Sequence, residues 1–226
     1  MFSLGLHGRD TTDFIANWRI EFTIGSNSDF GNLMTTYDKF IEFDFDDKFY
    51  NPLSNTTSSH PKLSASDPSY TISIFRDIKK HMAVGLQYEK AGLGTVLGYN
   101  EPSNSLMFIN FSTTSFTPLF CVGLDWVMDL RVGPSLIWNN AKHSNVEHIR
   151  NEDYAIFQFG MYSSFNLRII RIKRFYVKVG VDWLTTYKSE VGPFSAKNDE
   201  QLVISAYEQN FSHLNYFLRI SFRLNS

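Results

Sequence analysis

With a single cysteine, Cys121, the chain has no internal disulfide to staple it. It also lacks any run near the roughly 18 unbroken apolar residues of a membrane-crossing helix. Neither sign of charge dominates. The 21 Lys and Arg stand against 23 Asp and Glu, so there is no basic footprint for nucleic acid. Charged residues are 19% of the chain, below the roughly one quarter of an ordinary globular domain. The stretch Met1 to Arg9 has no basic start followed by an apolar run, so it does not read as a signal peptide; an exported protein would here be in its mature form. Helical periodicity, low-complexity tracts, linkers and repeats beyond hairpins are absent as well, and the 226 residues read as a single domain.

Aromatic residues are plentiful, at 16% with 21 Phe. They recur at every second position. Phe14, Ala16, Trp18, Ile20, Phe22 and Ile24 alternate with Asn17, Arg19, Glu21 and Thr23. Leu130, Val132, Pro134, Leu136 and Trp138 alternate with Arg131, Gly133, Ser135 and Asn139. Phe175, Val177, Val179, Val181 and Trp183 alternate with Tyr176, Lys178, Gly180 and Asp182, and the segment from Leu214 to Leu224 behaves likewise. A side-chain period of two is the signature of a strand.

Eight strands follow, at 13–25, 69–77, 81–91, 105–126, 130–140, 153–170, 175–187 and 201–224. Their connections alternate between long polar loops (26–68, 92–104, 141–152, 188–200) and tight turns (77–80, 127–129, 171–174). Long loops on one rim and short turns on the other are the layout of an antiparallel up-and-down transmembrane β-barrel, an all-β fold. A ten-strand count stays open, with Phe2, Leu4 and Leu6 beginning one further strand and 33–45 forming another. A mean hydropathy of −0.21 does not exclude a membrane barrel, because alternation averages the apolar face away.

Alternation suits a soluble ligand carrier equally well, so residue size must decide which face points out. An eight-stranded interior is only just wide enough for its side chains. The large apolar face is too bulky for it. The other face, with Ala83, Gly85, Gly123, Gly133, Ser135, Gly160, Ser164, Gly180 and Ser221, suits a narrow interior. Among these small residues stand Arg19, Glu21, Glu89, Asp125, Arg131, Arg168, Lys178, Asp182, Arg219 and Arg223, which are expected to pair as an interior charge network. Trp126 at a turn end, and Trp138 and Trp183 toward loop ends, are expected at the lipid–water boundary, where an apolar ring with one polar N–H is most stable.

This alternation, the loop asymmetry and the strand start Arg131-Val132-Gly133-Pro134-Ser135-Leu136 resemble the small outer-membrane β-barrels of the OmpA/OmpX kind, including the barrel domains common in Bacteroidota. The resemblance implies a Gram-negative cell envelope, location in the outer membrane, contact with membrane lipid and removal of a signal peptide. Such barrels usually end on an aromatic residue; here Phe222 is followed by Arg223, Leu224, Asn225 and Ser226.

Motifs for chemistry are weak. Glu42, Asp44 and Asp46 would share one face of an extended segment and suit a hard cation, or simply form a solvated acidic edge. His143 and His148 lie in a polar loop with carboxylates, at a spacing that matches no metal motif. No Ser–His–acid arrangement is legible, so no catalytic residue is assigned, and nothing calls for a cofactor. The sequence therefore reads as a structural or partner-binding barrel with a charge-filled, non-conducting interior. A protein partner would engage loops 26–68, 92–104, 141–152 and 188–200. A soluble lipocalin-like carrier of an apolar ligand and an outer-membrane lipid-modifying enzyme are the alternatives.

Overall fold

The computed structural model describes residues 17–27, 31–42, 50–51, 56–57, 62–64, 68–100, 105–124, 127–145, 152–195 and 203–224. Eight long strands carry the fold: β1 (Trp18–Asn27), β2 (Pro68–Lys79), β3 (Met82–Asn100), β4 (Ser105–Leu124), β5 (Met128–Asn145), β6 (Glu152–Ile172), β7 (Phe175–Thr186) and β8 (His213–Leu224). Each pairs antiparallel with its neighbour in sequence, and β1 pairs with β8 to close the ring. The β1–β8 register runs from Trp18 opposite Leu224 to Asn27 opposite Asn215. Closure removes both sheet edges, so the ladder satisfies the backbone donors and acceptors that lipid cannot.

Burial alternates along the strands, and the large apolar face is the exposed one. In β2, the outward Tyr70, Ile72 and Ile74 alternate with the buried Ser69, Thr71, Ser73 and Phe75. Phe22 and Ile24 are 55% and 62% exposed, whereas Glu21 between the outer residues of β1 is fully buried. A soluble carrier needs the reverse arrangement, with its greasy side chains lining a cavity.

Several sequence expectations are corrected here. The ring has eight strands among the described residues, and 33–45 does not supply another: a helix, α1 (Gly31–Glu42), occupies most of it. Leu33, Thr36 and Phe40 are its buried face, at helical spacing. The pattern is masked in the sequence because a threonine stands in the buried stripe while Met34 and Ile41 are exposed. Phe2, Leu4, Leu6 and the start of the 13–25 strand lie outside the described residues, and β1 extends to Asn27.

The 92–104 loop is largely strand. β3 continues to Asn100 past a bulge between Gly92 and Gly94, where Gly94 takes a φ of 122° that disfavours any side chain. Glycines that read as a loop are thus the device that bends a long strand. β5 and β6 likewise run to Asn145 and from Glu152, shortening the 141–152 loop. The described parts of the 188–200 loop and of the start of the 201–224 strand form a separate extension, with Lys188–Val191 paired to Tyr207–Asn210 and Phe194–Ser195 paired to Val203–Ile204. Lys62–Ser64 pairs with β3, and Tyr50–Asn51 with Thr56–Thr57, inside the 26–68 segment.

The loop end contains an apolar core. Leu33 and Phe40 of α1 pack with Val191, Phe194, Ile204, Tyr207 and Phe211 of the extension and with the inward residues Val96, Met107, Ile109 and Phe111. Thr36 Oγ1 lies 2.7 Å from the Tyr207 hydroxyl and donates to Gln209 Oε1 at 3.1 Å, fixing the helix to the extension.

Candidate functional site

The lumen toward the turn end is ionic. Glu21 on β1 faces Arg131 on β5 and Lys178 on β7: Arg131 Nη1 is 2.6 Å from Glu21 Oε2, and Lys178 Nζ is 2.9 Å from Glu21 Oε1. Asp129 receives the same two cations, from Arg131 Nε at 2.8 Å and Lys178 Nζ at 2.8 Å. Arg19 and Arg219 each stand 3.9 Å from a Glu21 oxygen. Arg219 also donates to Asp182 at 2.9 Å and to Thr23 at 2.8 Å, and it reaches Asn166. Asp77 joins Arg19 at 3.2 Å and the more exposed Arg223 at 2.9 Å. Nearer the loop end, Glu89 accepts from Asn215 at 2.8 Å and faces His213 Nε2 at 3.4 Å.

Strand parity produces this arrangement. Inward positions on adjacent strands lie side by side, and closure of the ring brings opposite walls within reach of long side chains. Arg19, Glu21, Glu89, Arg131, Lys178, Asp182, Arg219 and Arg223 all project into or toward the lumen, while Asp125 lies outside the described residues. Arg168 is half-buried, its guanidinium 4.5 Å from the centroid of Tyr176.

Asp77, shared in the sequence between the 69–77 strand and the 77–80 turn, and Asp129, expected in the 127–129 turn, are both strand residues facing inward. The signal was present: Asp129 shares parity with Arg131, Gly133 and Ser135. His213, Thr23 and Asn166 also join the buried contacts without having been singled out.

Inward aromatics complete the packing. Phe75 is buried between Arg131 and Arg19, whose guanidinium carbons lie 4.6 Å and 5.2 Å from its ring centroid. It stands opposite Gly85, where a Cβ would come within 2.4 Å of the ring. Phe217 lies between Gly25 and Gly180 in the same way, and a Cβ on Gly180 would approach the ring to 2.8 Å. The small residues at 25, 85 and 180 thus leave room for particular rings.

Outside, Trp138 and Trp183 are exposed, with Trp138 5.2 Å from Phe157 across the β5–β6 pair; Trp126 lies outside the described residues. Of the candidate metal ligands, Glu42 is helical and pairs with Lys39, which removes the extended geometry assumed for it. His143 is buried in β5 beside Phe194, not in a loop. Asp44, Asp46 and His148 lie outside the described residues.

The closed ring, the apolar exterior and the ionic lumen define the class: an up-and-down transmembrane β-barrel of the bacterial outer-membrane kind. No family model matches the chain, and no curated protein matches it in sequence. Among solved structures it is similar to Ail, the attachment invasion locus protein of Yersinia pestis, in complex with the heparin analogue sucrose octasulfate, at 7% identity and a TM-score of 0.48 over 93% of this chain and 100% of that one. It is similar to Neisserial surface protein A at 9% identity and a TM-score of 0.44, over 92% of this chain and 97% of that one. The N-terminal β-barrel domain of Pseudomonas aeruginosa OprF gives 10% identity and a TM-score of 0.41, over 92% of this chain and 98% of that one.

Proposed function

We propose that this chain is an integral outer-membrane barrel that serves as a rigid, non-conducting scaffold and binds a partner through its loop end. The observation that carries the reading is the filling of the lumen. Glu21, Asp129, Arg131, Lys178 and Arg219 pair across it with almost no exposure to water. An ion crossing such a barrel would have to break buried pairs and leave uncompensated charge, which costs several kcal/mol at each step.

Outside, the belt of Phe22, Ile24, Ile72, Leu86, Phe159 and Leu218 faces hydrocarbon, and Trp138 and Trp183 sit at its boundary. Partner binding falls to the loop end, where α1 and the Lys188–Asn210 extension build a surface on the rigid ring. Met34 and Ile41 on α1 and Tyr187 at the base of the extension are exposed there. A protein partner would engage the segments 26–68, 92–104, 141–152 and 188–200.

Planar-bilayer recording tests the scaffold reading. Purified protein should enter the bilayer and give no unitary current steps. Steady single-channel current would refute the closed lumen, and a monodisperse folded protein without detergent would refute the membrane location.

A further inference from the structure

At the turn end the described acids all face inward, while cations lie on both faces. The described carboxylates there, Asp77 and Asp129, point inward and are held by Arg19, Arg223, Arg131 and Lys178. Cations occupy the outward and turn positions: Arg76, Lys79 and Lys80 at the β2–β3 turn, and Lys173 and Arg174 at the β6–β7 turn, with Arg171 beside them at the lumen mouth, opposite the inward Tyr176. All six are exposed, as is His81 beside Lys80. Among the described residues no carboxylate lies on the outer face at this end. The loop end differs, because its exposed charges mix signs, as in Lys142 with Asp153 and Lys39 with Glu42.

This basic rim is continuous with the hydrocarbon-facing belt. Arg76 shares the outer face with Ile74 and Ile78, and Lys173 and Arg174 follow the exposed Ile172 directly in the chain. Its guanidinium carbon 5.6 Å from the Trp18 ring centroid, Arg76 forms an outward pair with the residue opposite it in the β1–β2 register. A tryptophan under a cation, one pleat from aliphatic side chains, is the arrangement of a headgroup-level anchor. Long basic side chains at that depth lay their stems along lipid and present the charge to phosphate, bidentately in the case of arginine.

We propose that the turn rim is a docking surface for anionic glycerophospholipid headgroups, gripped by two basic arcs centred on Lys80 and Arg174. The inference rests on the membrane-barrel reading above. The turns of such barrels face the periplasm, so the lipid source is the inner leaflet rather than surface lipopolysaccharide. The rim supplies counter-charge from outside that the lumen acids, already matched, do not.

Full-length protein is to be incorporated into nanodiscs of phosphatidylcholine alone, and of equimolar phosphatidylcholine and phosphatidylglycerol. The lipid that stays with it after mild detergent extraction is then quantified by mass spectrometry. Wild type should retain phosphatidylglycerol over phosphatidylcholine by roughly tenfold, with the preference shrinking at high salt. Replacing all six cations with glutamine should bring the ratio below about twofold.

Should that variant not fold, as judged by heat-modifiable gel migration, Lys80→Gln/Lys173→Gln/Arg174→Gln substitutes for it. Its changes lie in the turns outside the strand ladder, and it should lose at least half of the preference in logarithmic terms. A wild type without preference, or a preference that survives in the variants, overturns the proposal. So does stronger retention of lipid A in a parallel arm. Failure of the wild type to enter phosphatidylcholine nanodiscs overturns the membrane reading itself, and this inference with it.

Discussion

Glu21→Gln is the most direct probe of the lumen. The substitution preserves volume and one carbonyl oxygen but deletes the charge that faces Arg131 at 2.6 Å and Lys178 at 2.9 Å, with Arg19 and Arg219 each at 3.9 Å. In the wild type Arg19, Arg131, Lys178 and Arg219 are matched by Glu21, Asp77, Asp129 and Asp182. The variant leaves one buried cation without a carboxylate. Removing one partner of a buried ion pair costs about 3–5 kcal/mol, and a residual hydrogen bond from the new amide brings the expectation to the lower half of that range. The assay is reversible urea unfolding in phospholipid vesicles, followed by tryptophan fluorescence and by the heat-dependent gel shift.

Glu21→Gln/Lys178→Gln restores the balance. It should recover part of the loss, giving a coupling energy of about 1–3 kcal/mol between the two positions. A change within about 0.5 kcal/mol for Glu21→Gln would mean that water, not protein, neutralises these cations, and the filled lumen would be wrong. Strict additivity in the double variant would show that Glu21 and Lys178 do not interact, against the contact between them.

Val179→Arg places a charge on the outer face between Leu167 and Leu218, and should cost about 2–4 kcal/mol if that face meets mid-bilayer hydrocarbon; wild-type yield of heat-modifiable protein would refute the orientation. Gly85→Val forces a side chain into the Phe75 ring and should destabilise by about 1–3 kcal/mol in the same urea assay, with the combination Gly85→Val/Phe75→Ala less damaging than either effect summed. Phe40→Ala removes a fully buried anchor of α1, and limited proteolysis should cut within Gly31–Glu42 at least about tenfold faster while the barrel keeps its gel shift; simultaneous loss of both would show that the helix is integral to barrel stability.

The alternation in Leu130–Trp138, Phe175–Trp183 and Leu214–Leu224 was enough to recover eight strands and to decide which face points out, because a period of two and side-chain size are local properties. The interior arginines Arg19, Arg131 and Arg219 follow from parity alone. Parity not carried through to the strand ends leaves Asp129 in a turn, whereas it is an inward residue of β5. The glycines at 92, 94 and 98 look like loop chemistry, yet all lie within β3, and Gly92 and Gly94 flank its bulge, since a bulge and a loop ask the same backbone freedom of glycine. Helix α1 escaped notice for another reason. Its buried stripe of Leu33, Thr36 and Phe40 is apolar only at two points, and Thr36 belongs there because Tyr207 and Gln209 are present to bond it.

Sequence by itself determined that this chain is made of two-faced strands with bulky apolar residues on one side and small or ionic residues on the other. Tertiary structure decided which acid meets which cation. Glu21 and Lys178 are 157 residues apart, and only the register of the closed ring sets them 2.9 Å from each other. Charge pairing across a lumen depends on distances between opposite walls, and those distances exist only once the last strand has joined the first.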